Sequence, residues 1–178
     1  MVEGLQTRLD HLGPGFLRLL LGHMAASRHC VCPVAEREGE VLGYAAALTS
    51  VSRFYREFVL RKGLHAALII LPRLLRSGNL RIFLQALAYP SAGFPDDPPA
   101  ELVSIVVSPE ARGMGVASSL LRHIAAEMKS RGIERMTIKT GVENAAANEM
   151  YRRLQCQFVR TEPFGRDQWA NVYVCKFV

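Results

Sequence analysis

Two glycines separated by one residue, Gly113 and Gly115, stand just before a run in which apolar side chains recur every three or four positions: Val116, Ala117, Leu120, Leu121, Ile124, Ala125 and Met128. The run reads as an amphipathic helix with Arg122, Glu127 and Lys129 on its far side. Glycine admits positive φ and leaves room for a ligand against the backbone. The first turn of a helix adds unpaired N–H groups and a partial positive charge. Ahead of the loop, residues 102–107 are apolar and rich in β-branched types, as in a central strand covered on both faces. A strand, a glycine loop and a helix N-terminus in that order suit a phosphate group.

Which phosphate ligand follows by elimination. A nucleoside-triphosphate loop needs Gly-Lys-Ser/Thr, and no such tripeptide occurs. A dinucleotide fingerprint needs its first glycine at the strand end and a third three positions after the second. Here Ser108 to Arg112 intervene, and the third place is Ser118. A second block lies at residues 141–158, where Asn144, Ala147, Asn148 and Tyr151 recur within eight positions opening another helix.

Together, Arg112-Gly113-Met114-Gly115-Val116-Ala117 and Asn144-x-x-Ala147-x-x-x-Tyr151 resemble the two motif blocks of the GNAT superfamily of N-acetyltransferases. The resemblance covers about residues 101–178. It implies an α/β fold with a central mixed, mostly antiparallel sheet and two parallel strands that splay apart. It also implies acetyl-CoA as acyl donor. Ile105, Val106 and Val107 would pair with the pantetheine arm, Arg112 to Ser118 (with Met114 and Val116) would hold the pyrophosphate, and Asn144 and Asn148 would complete the cofactor site. Tyr151 carries the general-acid role over. The usual Gly-Phe after the tyrosine helix is here Gln155-Cys156, which leaves that turn open.

For the base, some members place a glutamate on the strand before the asparagine helix, but Lys139 stands at that position. Others use an acid at the head of the central strand, where this chain has Glu101. A solvated strand-end carboxylate accounts for Glu101 as well as a base does. A substrate amine that deprotonates in solution needs no enzyme base.

The 178 residues suit one domain with a full core, the expected boundaries being 1–178 with a helical insertion at 51–99. No apolar run is long enough to span a bilayer and no leader pattern opens the chain, so a cytoplasmic enzyme is the expectation. Cys30, Cys32, Cys156 and Cys175 lack zinc spacing and read as buried thiols, with no metal. A helix over 16–26 follows Gly13-Pro14-Gly15, after a strand at 2–5. A hairpin then turns at Glu38-Gly39-Glu40. Its small second arm, 41–49, leaves room for a bulky neighbour on the acceptor side.

Residues 51–88 lie outside the minimal motif pattern and read as two or three helices, broken at Pro72 and at Ser77-Gly78-Asn79. Seven cations (Arg53, Arg56, Arg61, Lys62, Arg73, Arg76, Arg81) against Glu57 leave +6, the formal charge of the whole chain. Three readings compete: a solvated basic face, a lid over an anionic acceptor, and an amphipathic anchor on lipid. A lid that shapes the acceptor pocket, and is available to a homodimer contact, is favoured over a membrane role. Strands at 135–140 and 172–178 and a helix at 145–154 complete the reading. The expected function is transfer of acetyl to a primary amine of a small metabolite, an amino sugar or polyamine, with no nucleic-acid partner. A peptide N-terminus is the alternative acceptor, and a non-catalytic acyl-CoA-binding module the alternative class.

Overall fold

A computed structural model describes residues 13–77, 96–164 and 168–177. The strand expected at 2–5 and the helix expected at 80–88 lie outside the described residues. In chain order the elements are α1 (Gly13–Ala26), β1 (Cys30–Val31), β2 (Val34–Arg37), β3 (Glu40–Leu48), α2 (Val51–Ser77), β4 (Glu101–Val107), α3 (Val116–Ser130), β5 (Arg135–Gly141), α4 (Ala145–Arg153), β6 (Gln157–Pro163) and β7 (Trp169–Lys176).

The strands form one sheet in the order β1-β3-β4-β5-β7-β6, with β2 also on β3. Every pairing is antiparallel except β4 with β5. The mixed, mostly antiparallel sheet expected from the resemblance is therefore present. Between β2 and β3, Glu38 (φ 55°) and Gly39 (φ 83°) both take left-handed backbone, as a two-residue hairpin turn matched to strand twist requires.

Side-chain alternation along β3 assigns one core to each face of the sheet. Ala45 and Ala47 pack with Leu102, Ile138 and Tyr173 of the sheet under Leu120, Ile124 and Met128 of α3 and Tyr151 of α4. Ala46 and Leu48 pack on the other side with Phe16, Leu20 and Met24 of α1 and Phe54, Phe58, Ala66 and Ile70 of α2. The small residues of β3 thus admit the chain's own helices on both faces. The bulky neighbours that the small residues were expected to admit are helices of the chain itself. At Gly43 the constraint is the neighbouring strand, because a side chain there would run into the Val106 carbonyl.

α2 is a single helix of 27 residues. It continues through Pro72, where two helices were expected. Proline takes one N–H out of the helix ladder and is costly in a helix interior. The row Phe54, Phe58, Ala66 and Ile70, buried against α1 and the sheet, anchors the helix up to the turn that contains Pro72.

Candidate functional site

β4 and β5 pair only at Glu101 with Thr137 and Leu102 with Ile138. Beyond that point β4 continues along β3 as far as Val107 opposite Gly43, so Ser104–Val107 leave β5 while staying paired with β3. The cause lies in β4 itself. Ala46 faces Ser104 and Ala47 faces Leu102, which makes Val103 an extra residue in the ladder. Such a bulge bends its strand and increases its twist. The two parallel strands therefore diverge at Val103, directly after their last pair. The peptide edge of β4 that turns toward the gap, including Ile105, Val106 and Val107, is half-buried and has no β5 residue opposite it.

At the far end of β4 the chain makes one 3-10 turn, Pro109–Ala111, and enters the glycine loop. Gly113 (φ 77°) and Gly115 (φ 81°) both have positive φ, and Gly115 is the N-cap of α3. Space does not require glycine at either position, since no atom lies within 4 Å of an added Cβ. Backbone conformation does. The first helical bond runs from Ser119 N–H to Gly115 O at 3.0 Å, so the N–H groups of Val116, Ala117 and Ser118 precede the ladder. Arg112 and Met114 are exposed beside them. This cradle suits an anionic diphosphate, and the open β4 edge suits the amide-bearing arm that would follow it.

α4 delivers Tyr151, 2% exposed, into the same core as Leu102 and Ile138. Its ring lies 5.7 Å from that of Tyr173. Burial, with a smaller contribution from Tyr173, holds the Tyr151 phenol above its ordinary value, so it is a neutral donor at any working pH. Asn144 caps α4, its Oδ1 accepting from Ala147 N–H at 3.1 Å. Asn148 is buried. Its Nδ2 donates to Gly141 O at 2.9 Å and Asn144 O at 2.8 Å, and its Oδ1 accepts from Asn171 Nδ2 and Tyr173 Oη, both at 2.8 Å. The Asn148 side chain is thus engaged through both its nitrogen and its oxygen, and Asn144 through its oxygen.

Glu101 is half-buried at the head of β4. Leu102 points into the core with Tyr151, so strand alternation turns Glu101 to the opposite face. There Tyr55 of α2 feels its charge: burial first, and then Glu101, push that phenol up to about 12. Glu101 and Tyr151 therefore lie on the two faces of the sheet. Lys139 is bridged to Glu162 at 2.9 Å. Glu162 also meets Arg160, which chelates Asp97 at 2.8 and 2.5 Å. A cation so engaged does not replace a glutamate base.

Of the cysteines, Cys30 is buried with its thiol pushed up to about 12, while Cys32 is exposed because β1 ends at Val31. Cys156 and Cys175 form a disulfide. Both observations correct the expectation of four buried thiols. Tyr173, Asn171 and the disulfide escaped sequence reasoning. The signal was the alternation of Tyr173 and Cys175 on one face of β7, whose partners only the fold identifies. No group of metal-binding side chains occurs among the described residues.

The model of the Acetyltransferase (GNAT) family matches residues 8–155. A mycothiol acetyltransferase of Cellulomonas flavigena is 32% identical over 90 residues, which are 48% of this chain and 25% of that protein. The chain thus spans about a quarter of the length of that relative. The fold is similar to that of an N-acetyltransferase of Staphylococcus aureus Mu50, with a TM-score of 0.56 at 18% identity over 90% of this chain and 76% of the other. It is also similar to PaiA N-acetyltransferase of Thermoplasma acidophilum in complex with coenzyme A, with a TM-score of 0.55 at 11% identity over 90% and 69%.

Proposed function

Because the chain belongs to the GNAT acetyltransferase family, we propose that it transfers an acetyl group from acetyl-CoA to a primary amine of a small metabolite, of the amino-sugar or polyamine kind. The observation that carries this reading is the divergence of β4 from β5 beyond Leu102 and Ile138, with the glycine loop at the far end of β4 and Tyr151 buried in the same core as Leu102 and Ile138. Acetyl-CoA supplies a thioester whose acyl carbon is already activated. Val116, Ala117 and Ser118 N–H groups bind the diphosphate, and Arg112 adds a cation. The free edge of β4 aligns the arm, and one of its N–H groups faces the thioester oxygen.

The C–N bond forms as the C–S bond breaks, so nitrogen loses a proton and sulfur gains negative charge. An ordinary thiol has a pKa of ~8.5 and an ordinary tyrosine ~10, so full proton transfer from tyrosine to thiolate is uphill by about 2 kcal/mol. Burial of Tyr151 widens that gap. Tyr151 therefore acts by strengthening a hydrogen bond to sulfur as its charge grows. Glu101, on the other face, takes the amine proton through water. Tyr55 and the inner side of α2 bound the acceptor space next to it.

The test is an acceptor screen with acetyl-CoA in which free thiol is read out. Acetyl-dependent thiol release with amino sugars or polyamines is the expected result. Release only with peptides bearing a free N-terminus overturns the substrate class, and tight acetyl-CoA binding with no release in any arm overturns the enzyme reading.

A further inference from the structure

We propose that the outward face of α2 docks on an anionic lipid bilayer, with the helix lying in the plane of the headgroups. The inference does not depend on the acyl-transfer reading. α2 buries one side, Phe54, Phe58, Ala66 and Ile70, against α1 and the sheet. Its other side is not polar. Leu60 is 80% exposed, Leu64 79% and Leu68 63%. Four-residue spacing lines these three up along one face, in a row roughly 12 Å long. Val59, 52% exposed, adds to the patch. Single exposed leucines are ordinary, but a contiguous row is not.

Charge complementarity selects the occupant. Arg53, Arg56 and Arg61 are all exposed around the row. The acid in this stretch, Glu57, is engaged by Ser27 Oγ at 2.7 Å and by Arg61 at 3.1 Å, and the Ser27 hydrogen bond foremost holds its carboxyl below the usual range. An apolar stripe flanked by cations on a helix whose back is buried in a folded domain is the pattern of an interfacial helix. A second copy of the chain would set these cations against their own kind. A soluble anionic metabolite has no use for three exposed leucines. No described helix is long and apolar enough to cross a bilayer, so the surface mode is the one that fits.

The sequence favoured a lid over an anchor because composition does not reveal which side of a helix the leucines occupy. The inner side of α2, with Tyr55, faces the sheet and is compatible with a lid; the leucine row faces away and cannot line that pocket.

The test is co-sedimentation of the full chain with vesicles of 70% phosphatidylcholine and 30% phosphatidylglycerol, and with phosphatidylcholine alone. Wild type should partition onto the anionic vesicles at least about tenfold more strongly, and lose that preference in high salt. Leu60→Gln, Leu64→Gln and Leu68→Gln combined should lower partitioning at least about tenfold with thermal unfolding unchanged, since all three are exposed. Arg53→Gln, Arg56→Gln and Arg61→Gln combined should remove the lipid preference but leave the fold. No binding by wild type overturns the proposal. So does a dimer in sedimentation velocity that the triple leucine variant dissolves while vesicle binding stays absent, which would make the row a subunit interface.

Discussion

Tyr173 donates its hydroxyl to Asn148 Oδ1 at 2.8 Å, joining β7 to α4 inside the core that holds Tyr151. The two residues are not equivalent. Asn148 also donates to the Gly141 and Asn144 carbonyls and accepts from the Asn171 amide; in Asn148→Ala both carbonyls keep a backbone N–H, but the buried Tyr173 hydroxyl and the half-buried Asn171 amide lose their shared acceptor. We expect a loss of about 3 kcal/mol, read as a fall in Tm of roughly 6–12 °C. Tyr173→Phe leaves Asn148 bonded to Asn171 and should cost about 1 kcal/mol. Equal losses would mean that Asn148 is not the hub of this seam.

Tyr151→Phe should lower kcat tens- to a few hundred-fold and leave the acetyl-CoA Kd nearly unchanged, because the hydroxyl is needed once charge appears on sulfur. Because burial holds the phenol above its ordinary value, wild-type kcat should show no alkaline limb from this residue below about pH 10. A descending limb near pH 9 that vanishes in the phenylalanine variant would contradict that environment.

The cofactor cradle is tested at Gly115. Aspartate there sets a carboxylate and a left-handed β-carbon against the helix N-terminus, and acetyl-CoA affinity by calorimetry should fall at least about tenfold. Arg112→Ala should weaken binding with the far-ultraviolet spectrum intact. Unchanged affinity in the aspartate variant removes the loop from the cofactor site.

The turn after α4 takes the left-handed geometry that Gln155 disfavours. Gln155 has φ 56°, its N–H bonds to Arg152 O at 2.9 Å, and Cys156 N–H bonds to Tyr151 O at 3.0 Å, the paired bonds that close a helix C-terminus. Relieving the β-carbon with Gln155→Gly should raise stability by about 1 kcal/mol, or roughly 2–4 °C in Tm. The Cys156–Cys175 disulfide, closing a separation of 19 residues, holds the same turn to β7, and its reduction should cost about 3 kcal/mol. A glycine variant no more stable than wild type would show that the surroundings already relieve the turn.

Alkaline stability follows from Cys30. Burial first, then neighbouring Cys32, pushes its thiol from 9.0 up to about 12. The folded value is raised, so this contribution is complete below about pH 9, where the unfolded thiol also keeps its proton, and is lost as pH rises through about 12. Tyr55, raised from 10.0 to about 12, adds a second loss above pH 10. Tm should therefore decline from about pH 9, and Cys30→Ala should delay the onset; an unchanged onset would assign the decline elsewhere.

Local order was legible in the residues themselves. The apolar period of α3, the β-branched run of β4 and the glycines at 113 and 115 each encode a nearest-neighbour preference, and such preferences survive without knowledge of the rest of the chain. The splayed strands came instead from the resemblance to the family, as did the role expected of Tyr151. Only tertiary structure decided that α2 is one helix, held to α1 and the sheet by Phe54, Phe58 and Ile70, and that it runs on through Pro72. It also decided that Cys156 meets Cys175, that Asn148 serves β7, and that Leu60, Leu64 and Leu68 face outward. Each of these depends on which distant residue lies opposite, and spacing along the chain carries no record of that.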